Sequence, residues 1–157
     1  MHTRAMRQYV AASEFDPGHP TVLAIYCSDG RFTGAVEELT RKLGHDRLDT
    51  LTIPGGPALL NLASAGFCDS DAVGRATSFL VRGHKISRVL VLAHAGCGYY
   101  RARLTGRKDA AIRQHQLDDL RAAASWLKLS HPGVEVLAFY AYNDKKRIVF
   151  DPLEQGK

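Results

Sequence analysis

The sequence predicts an α/β fold in which a mainly parallel central sheet has helices on both faces and an antiparallel edge strand near the C-terminus. Residues 22–26 and 89–93 are continuous apolar runs without alternation, which is typical of strands covered on both faces. Helical patterns separate the strand patterns, and this alternation favours parallel strands joined by right-handed crossovers. At 157 residues the chain has the length of one domain, and we expect residues 1–157 to form it, with residues 1–20 as an N-terminal arm.

The first helix and the second strand follow the first apolar run. Thr33 is predicted to cap that helix and Gly44 to end it. Residues 49–53 form the second predicted strand. The Pro-Gly-Gly-Pro stretch at 54–57 is predicted to be a loop, because proline supplies no amide donor and glycine weakens regular structure. We expect this loop on the same rim of the sheet as Cys27.

The second helix is predicted over residues 70–82, with Asp69 or Ser70 as its cap and Gly83 at its end. The basic stretch that follows Gly98, as far as Lys108, is expected to be a surface loop or a flap. The remaining predicted elements are the longest helix, a strand, a turn and a short edge strand, at residues 109–129, 134–142, 143–146 and 147–150.

Composition limits the partners and the compartment. The formal net charge is +5, and basic side chains cluster at Arg101, Arg103, Arg107, Lys108 and Arg113. No nucleic-acid-binding motif accompanies them, so we interpret them as a solvated basic face, and a nucleic-acid partner is the least favoured hypothesis. No apolar run is long enough to cross a bilayer, so no membrane partner is expected. Three cysteines and a beginning without the apolar run of a signal peptide favour a reducing, cytoplasmic location.

Two of the predicted strands end in residues that bind metals. Cys27 directly follows the first strand, and His94 and Cys97 follow the apolar run 89–93. Loops at the carboxyl ends of parallel strands meet at one edge of the sheet, where α/β folds place their chemistry. Two thiolates and a neutral imidazole could fill three of the four tetrahedral positions of Zn²⁺ and leave one for water. The sequence therefore predicts a catalytic type of zinc site. Cys68 has no such neighbours and is interpreted as a small buried apolar residue.

Asp29 and Arg31 add two further candidates to this site. A carboxylate beside the metal could itself be the fourth ligand. Alternatively, Arg31 could hold Asp29 in a bidentate ion pair and leave it to accept a hydrogen bond from a metal-bound water. The sequence leaves both alternatives open.

At these residues the chain resembles the β-class carbonic anhydrases. Their pattern Cys-x-Asp-x-Arg followed by His-x-x-Cys stands here as Cys27, Asp29, Arg31, His94 and Cys97. The resemblance implies reversible hydration of carbon dioxide to bicarbonate and a proton by a zinc-bound hydroxide. It implies that the metal ligands are the two cysteines and the histidine, with Asp29 as fourth ligand or as partner of the water, and that Arg31 pairs with Asp29. It also implies a homodimer or a higher homo-oligomer.

One segment departs from the family pattern. The family usually carries an Arg-Asn segment after its second strand, lining the pocket, where this chain has the Pro-Gly-Gly-Pro stretch 54–57 followed by Ala58. Two alternatives follow from this departure. The chain could be a zinc-binding relative with weak or no catalysis, or a hydrolase of a related small molecule such as carbonyl sulfide or carbon disulfide.

Overall fold

The fold was obtained as a computed structural model, which describes residues 8–154. Its elements are β1 Val22–Tyr26, α1 Thr33–Lys42, β2 Asp49–Thr52, a 3₁₀ helix Gly56–Leu60, α2 Phe67–Gly83, β3 Arg88–His94, α3 Gly98–Arg103, α4 Asp109–Ser130, β4 Glu135–Asp144 and β5 Arg147–Pro152. Residues 8–20 contain no helix or strand, and the rest of the predicted N-terminal arm, residues 1–7, lies outside the described part. No helix among residues 8–154 has the length and hydrophobicity of a membrane span.

The five strands form one sheet in the order β2-β1-β3-β4-β5. The first four are parallel, and β5 runs antiparallel to β4. Tyr26 at the end of β1 pairs with Leu92 in β3, so the carboxyl ends of these two central strands lie at the same rim. The predicted fold class is therefore confirmed, including the antiparallel edge strand.

The core lies on both faces of the sheet. Alternate residues of β1 and β3, such as Leu23 and Val89, pack with α2 and α4 on one face, where Leu120 is fully buried. The intervening residues, such as Ala24, pack with Val36 of α1 on the other face. Because both faces are covered, neither strand needs polar residues at alternate positions, which explains the continuous apolar runs.

Two predicted helix starts are wrong. Thr33 is the first residue of α1, and Phe32 occupies the capping position without a side-chain hydrogen bond. Asp69 and Ser70 lie inside the first turn of α2, which begins at Phe67 because the Ser70 amide already donates to the carbonyl oxygen of Gly66 at 3.0 Å. In both places the backbone begins its helical hydrogen bonding without the side-chain cap that the sequence pattern indicates.

Two further expectations need correction. The stretch after Gly98 is not a loop throughout, because α3, Gly98–Arg103, includes its first five residues, 99–103. Cys68 is exposed on the first turn of α2 rather than buried. Its neighbour Phe67 is also exposed, so this turn does not point into the core.

Candidate metal centre

The structure brings three of the five predicted site residues into one buried cluster. Cys27 follows β1, His94 is the last residue of β3, and Cys97 is the capping residue of α3. The two sulfur atoms are 3.8 Å apart, and one ligand atom from each of the three residues lies within 4.8 Å of the others. Their side chains approach from three separate elements because the ends of β1 and β3 are neighbours in the sheet.

The imidazole of His94 is oriented toward this cluster. Its Nδ1 lies 2.9 Å from the carbonyl oxygen of Ala95. Since a carbonyl only accepts, Nδ1 carries a proton, and in the neutral imidazole Nε2 is then the nitrogen with the free lone pair. Nε2 is buried and has no hydrogen-bond partner. An unsatisfied buried acceptor is costly, and a metal ion at the cluster would satisfy it. The acceptor for Nδ1, the carbonyl of Ala95, could not be identified from the sequence.

The two thiols interact directly with each other. The hydrogen bond with Cys97 is the largest of the effects that together lower the pKa of Cys27 to about 4. The side chain of His94 and the backbone N–H groups of Gly55 and Asp29 contribute in the same direction, and burial opposes them. The same thiol–thiol hydrogen bond, followed by burial, raises the pKa of Cys97. These two directions favour Cys27 as the thiolate of the pair and Cys97 as the thiol that donates to it. Binding of a divalent cation by both sulfurs would release that proton.

Asp29 and Arg31 form an ion pair at the edge of the cluster. Arg31 Nε donates to Asp29 Oδ1 at 2.9 Å, Arg31 Nη2 to Oδ2 at 2.6 Å, and the Arg31 backbone N–H to Oδ1 at 3.1 Å. These bonds lower the pKa of Asp29 to about 2. Asp29 Oδ2 lies 3.9 Å from Nε2 of His94. Arg31 therefore holds the carboxylate beside the cluster.

The Pro-Gly-Gly-Pro stretch 54–57 lies on this rim, as expected, but it is not a loop throughout, because Gly56 and Pro57 begin the 3₁₀ helix. The stretch packs tightly. Gly55 and Gly56 have left-handed φ angles of +84° and +52°. A Cβ atom on Gly56 would come 2.7 Å from the backbone nitrogen of Cys27, and one on Gly55 would come 2.4 Å from the ring of Tyr99. Glycine is required at both positions, so the stretch acts as a closely fitted support for Cys27.

Two buried polar residues of α4 bond to segments that carry the cluster and were not predicted from the sequence. Gln116 and Asp119 are each 1% exposed. Gln116 Nε2 donates to the backbone carbonyl of His94 at 2.8 Å. Both residues occur at helical spacing with the buried Leu120, Ala123 and Leu127. This spacing is the signal that could have found them, but polar residues in an amphipathic helix are usually assigned to the solvent-facing side.

A cleft of about 530 Å³ opens beside Cys97, between the first turns of α4 and the ends of β4 and β5. Arg101 and Arg113 lie along it, and the guanidinium of Arg113 is 5.1 Å from the centre of the Tyr140 ring. The cleft brings solvent to the edge of the cluster. Two sulfurs and one nitrogen suit a borderline-soft cation such as Zn²⁺, and three protein donors leave a fourth position available.

Residues 18–149 match the sequence model of a family described as "Putative carbonic anhydrase". A search of the curated proteins found no significant match. Solved structures share the fold, among them the β-carbonic anhydrase CafA of the fungal pathogen Aspergillus fumigatus. Its TM-score is 0.58 at 17% identity, with 85% of this chain and 76% of that chain covered.

Two other solved structures show the same similarity. The tetrameric β-carbonic anhydrases of the filamentous ascomycete Sordaria macrospora give a TM-score of 0.55 at 13% identity, covering 85% of this chain and 81% of theirs. The Coccomyxa β-carbonic anhydrase, solved in complex with acetazolamide, gives a TM-score of 0.53 at 14% identity, covering 87% of this chain and 74% of that chain. At these identities the similarity is one of fold.

Proposed function

Since the chain belongs to this carbonic anhydrase family, matched over residues 18–149, we propose that it catalyses the zinc-dependent, reversible hydration of carbon dioxide to bicarbonate and a proton. The observation that carries the proposal is the convergence of Cys27, His94 and Cys97 on one buried point, with the ion-paired Asp29 beside it. The donor set, the free Nε2 of His94 and the adjacent carboxylate together support a catalytic rather than a purely structural zinc site.

In this proposal Cys27 and Cys97 bind Zn²⁺ as thiolates and His94 binds it through Nε2. When bound, the ion supplies Lewis acidity that lowers the pKa of a water ligand from about 15.7 toward 7. His94 is kept in the required tautomer by the carbonyl of Ala95, and Gln116 holds the backbone of His94 in place. The protein's contribution is thus to orient three donors before any ion arrives.

Asp29 is proposed to orient the reacting water. With a pKa of about 2 it stays ionised across the neutral range, so it can only accept hydrogen bonds and cannot carry the proton away. Arg31 engages both carboxylate oxygens and keeps the carboxylate from turning onto the metal. The ion pair is therefore expected to keep the fourth position open.

Carbon dioxide hydration by the zinc-loaded protein tests this proposal, and Arg31→Ala tests the role of the ion pair. We expect the variant to keep its zinc, because no proposed ligand changes, and to hydrate carbon dioxide about 10- to 100-fold more slowly as Asp29 turns onto the metal. Stopped-flow hydration rates and elemental analysis of the same samples measure both quantities.

Arg75→Ala is the matched control for this experiment, since it removes an exposed arginine that pairs with Asp71 on α2, away from the cluster. It should hydrate carbon dioxide at the wild-type rate. No acceleration by zinc-loaded wild type, at neutral and at alkaline pH, would reject the catalytic proposal. The alkaline measurement matters because a water ligand beside two thiolates, which donate more charge than imidazoles, is expected to be less acidic.

A second candidate is a zinc-binding relative with weak or no catalysis, and the stretch 54–57 favours it. This stretch offers no arginine or asparagine side chain to the site, and its glycines are packed against Cys27 and Tyr99. This candidate predicts bound zinc without hydration. Including carbonyl sulfide and carbon disulfide in the same assay distinguishes an inactive protein from a hydrolase of a related molecule.

We further propose that the chain forms a homodimer or a higher homo-oligomer. Large apolar side chains are exposed on residues 8–20 and around α2, among them Phe15 at 90% and Phe67 at 75%. Exposed apolar side chains that cluster on a surface mark interaction sites more often than free surface. Light scattering of the zinc-loaded protein at micromolar concentration should give at least twice the chain mass, and a monomer would contradict the proposal.

A further inference from the structure

The inner face of α4 carries a buried carboxylate that the proposed reaction does not use. Asp119 is 1% exposed. Its Oδ1 accepts hydrogen bonds from Asn61 Nδ2 at 2.7 Å and from Ser64 Oγ at 2.5 Å, and its Oδ2 accepts one from the hydroxyl of Tyr100 at 2.5 Å. The two O–H···O distances lie in the range of charge-assisted hydrogen bonds. The carboxylate therefore holds three donors from two other segments of the chain.

One of these segments carries Cys97. Tyr100 lies in the first turn of α3, whose capping residue is Cys97, and the Arg101 amide donates to the Cys97 carbonyl at 3.2 Å. The tyrosine ring is 3% exposed and packs in the same small cluster as both thiols. The hydroxyl bond to Asp119 thus fixes the short helix that presents Cys97, and a helix of six residues has little stability of its own.

The other segment supports Cys27. Asn61 ends the 3₁₀ helix that begins at Gly56, and the Gly56 backbone lies directly against the backbone of Cys27. The bond from Asn61 to Asp119 fixes the far end of that helix. The Asp119 carboxylate on α4 therefore fixes both α3, which carries Cys97, and the 3₁₀ helix, which supports Cys27. The third donor is held from the same helix face, one turn earlier, by the bond from Gln116 to the carbonyl of His94.

We propose that Asp119 is a positioning residue for the metal centre, holding α3 and the 3₁₀ helix so that both thiols reach one ion. This inference rests on the zinc site of the proposed function. Without the carboxylate the two segments lose their common anchor, and the 3.8 Å approach of the sulfurs is no longer imposed. Asp119 touches no reacting atom and acts through the groups that donate to it, chiefly Tyr100 beside Cys97 and Asn61 at the end of the 3₁₀ helix.

Asp119→Asn tests the proposal with little change in volume. The amide keeps one acceptor oxygen, but its NH₂ group then faces either Asn61 Nδ2, which cannot accept, or the Tyr100 hydroxyl, which must turn its O–H away, and the negative charge is lost. Titration of the metal-free full chain with Zn²⁺ in a competing chelator, and with Co²⁺ followed by its absorption bands, should show metal affinity at least about tenfold weaker than wild type. The neighbouring Asp118→Asn, which changes an exposed carboxylate bonded to Arg121, is the matched control and should bind as wild type.

A purely structural role gives a different result. It would lower the melting temperature of the metal-free protein and leave the affinity of the folded protein unchanged, and that outcome would overturn the proposal. If Asp119→Asn does not fold, Tyr100→Phe decides, because it removes only one donor and keeps the ring. Several-fold weaker binding by Tyr100→Phe supports the proposal, and wild-type affinity overturns it.

Metal binding and carbon dioxide hydration by the wild-type protein distinguish a failure of this inference from a failure of the proposed function. Wild type that binds both metals but does not hydrate carbon dioxide would reject the catalytic proposal and leave the positioning role to be judged from the affinity ratio. Wild type that binds neither metal would reject the zinc site and this inference together.

Discussion

Replacing Cys97 with serine is expected to remove most of the zinc and to bring carbon dioxide hydration to the background rate. A serine hydroxyl is not ionised near neutral pH and is a poor ligand for Zn²⁺, so two protein donors would remain. Removing a side chain that only hydrogen-bonds to a metal ligand typically lowers metal affinity by about 10- to 100-fold. Removing a proposed ligand itself should therefore lower the zinc affinity by more than about a hundredfold. Elemental analysis after dialysis measures the zinc content, and competition with a chelator measures the zinc affinity.

Cys68→Ser provides the control for Cys97→Ser. Cys68 is exposed on α2, outside the cluster, so this variant should bind zinc and hydrate carbon dioxide as wild type does. In the metal-free protein the serine hydroxyl of Cys97→Ser can still donate to the Cys27 thiolate, so the fold should survive. Full zinc occupancy in Cys97→Ser would contradict the proposed ligand set.

Gly56→Ala is expected to lower the free energy of unfolding of the metal-free protein by about 2–4 kcal/mol. Two effects combine. A non-glycine residue at φ +52° is strained, and the new Cβ would lie 2.7 Å from both the Cys27 nitrogen and the Tyr26 carbonyl carbon. Because these neighbours are backbone atoms, no side-chain rotation relieves the contact. Urea denaturation followed by circular dichroism measures the change.

Gly44→Ala separates the two effects of the Gly56 substitution. Gly44 has φ +90°, but a Cβ there would meet no atom within 4 Å. This variant should therefore lose only about 1 kcal/mol, the cost of left-handed backbone strain. Equal losses in the two variants would show that the close approach of Gly56 to Cys27 does not constrain the fold. Gly56→Ala should also bind zinc more weakly, because Cys27 shifts when the Gly56 backbone beside it moves.

The architecture was predictable because it depends on patterns that are local in sequence. The unbroken apolar runs of β1 and β3 indicated strands covered on both faces, and that burial is what the structure shows. Parallel strands then place their carboxyl ends at one rim. The meeting of Cys27 with His94 and Cys97 follows from these two steps, although the residues are far apart in the chain.

The errors arose where a tertiary contact outweighs a local pattern. The basic stretch after Gly98 shows little helical amphipathicity, yet α3 forms there because Tyr100 is buried and its hydroxyl bonds to Asp119. Cys68 was expected to be buried from its residue type, but the turn of α2 that carries it faces outward. Residue type predicts burial only as an average.

The sequence by itself determined the strands, their parallel arrangement and the set of donors that meet at the rim. Only the tertiary structure decided which nitrogen of His94 is free, that Arg31 holds Asp29 beside the cluster, and that a carboxylate on α4 anchors the segments behind both thiols. The physical reason is that strand and helix formation follow the periodicity of neighbouring residues, whereas a hydrogen bond depends on distance and direction in space. Asp119 and Asn61, separated by 58 positions, are such a pair.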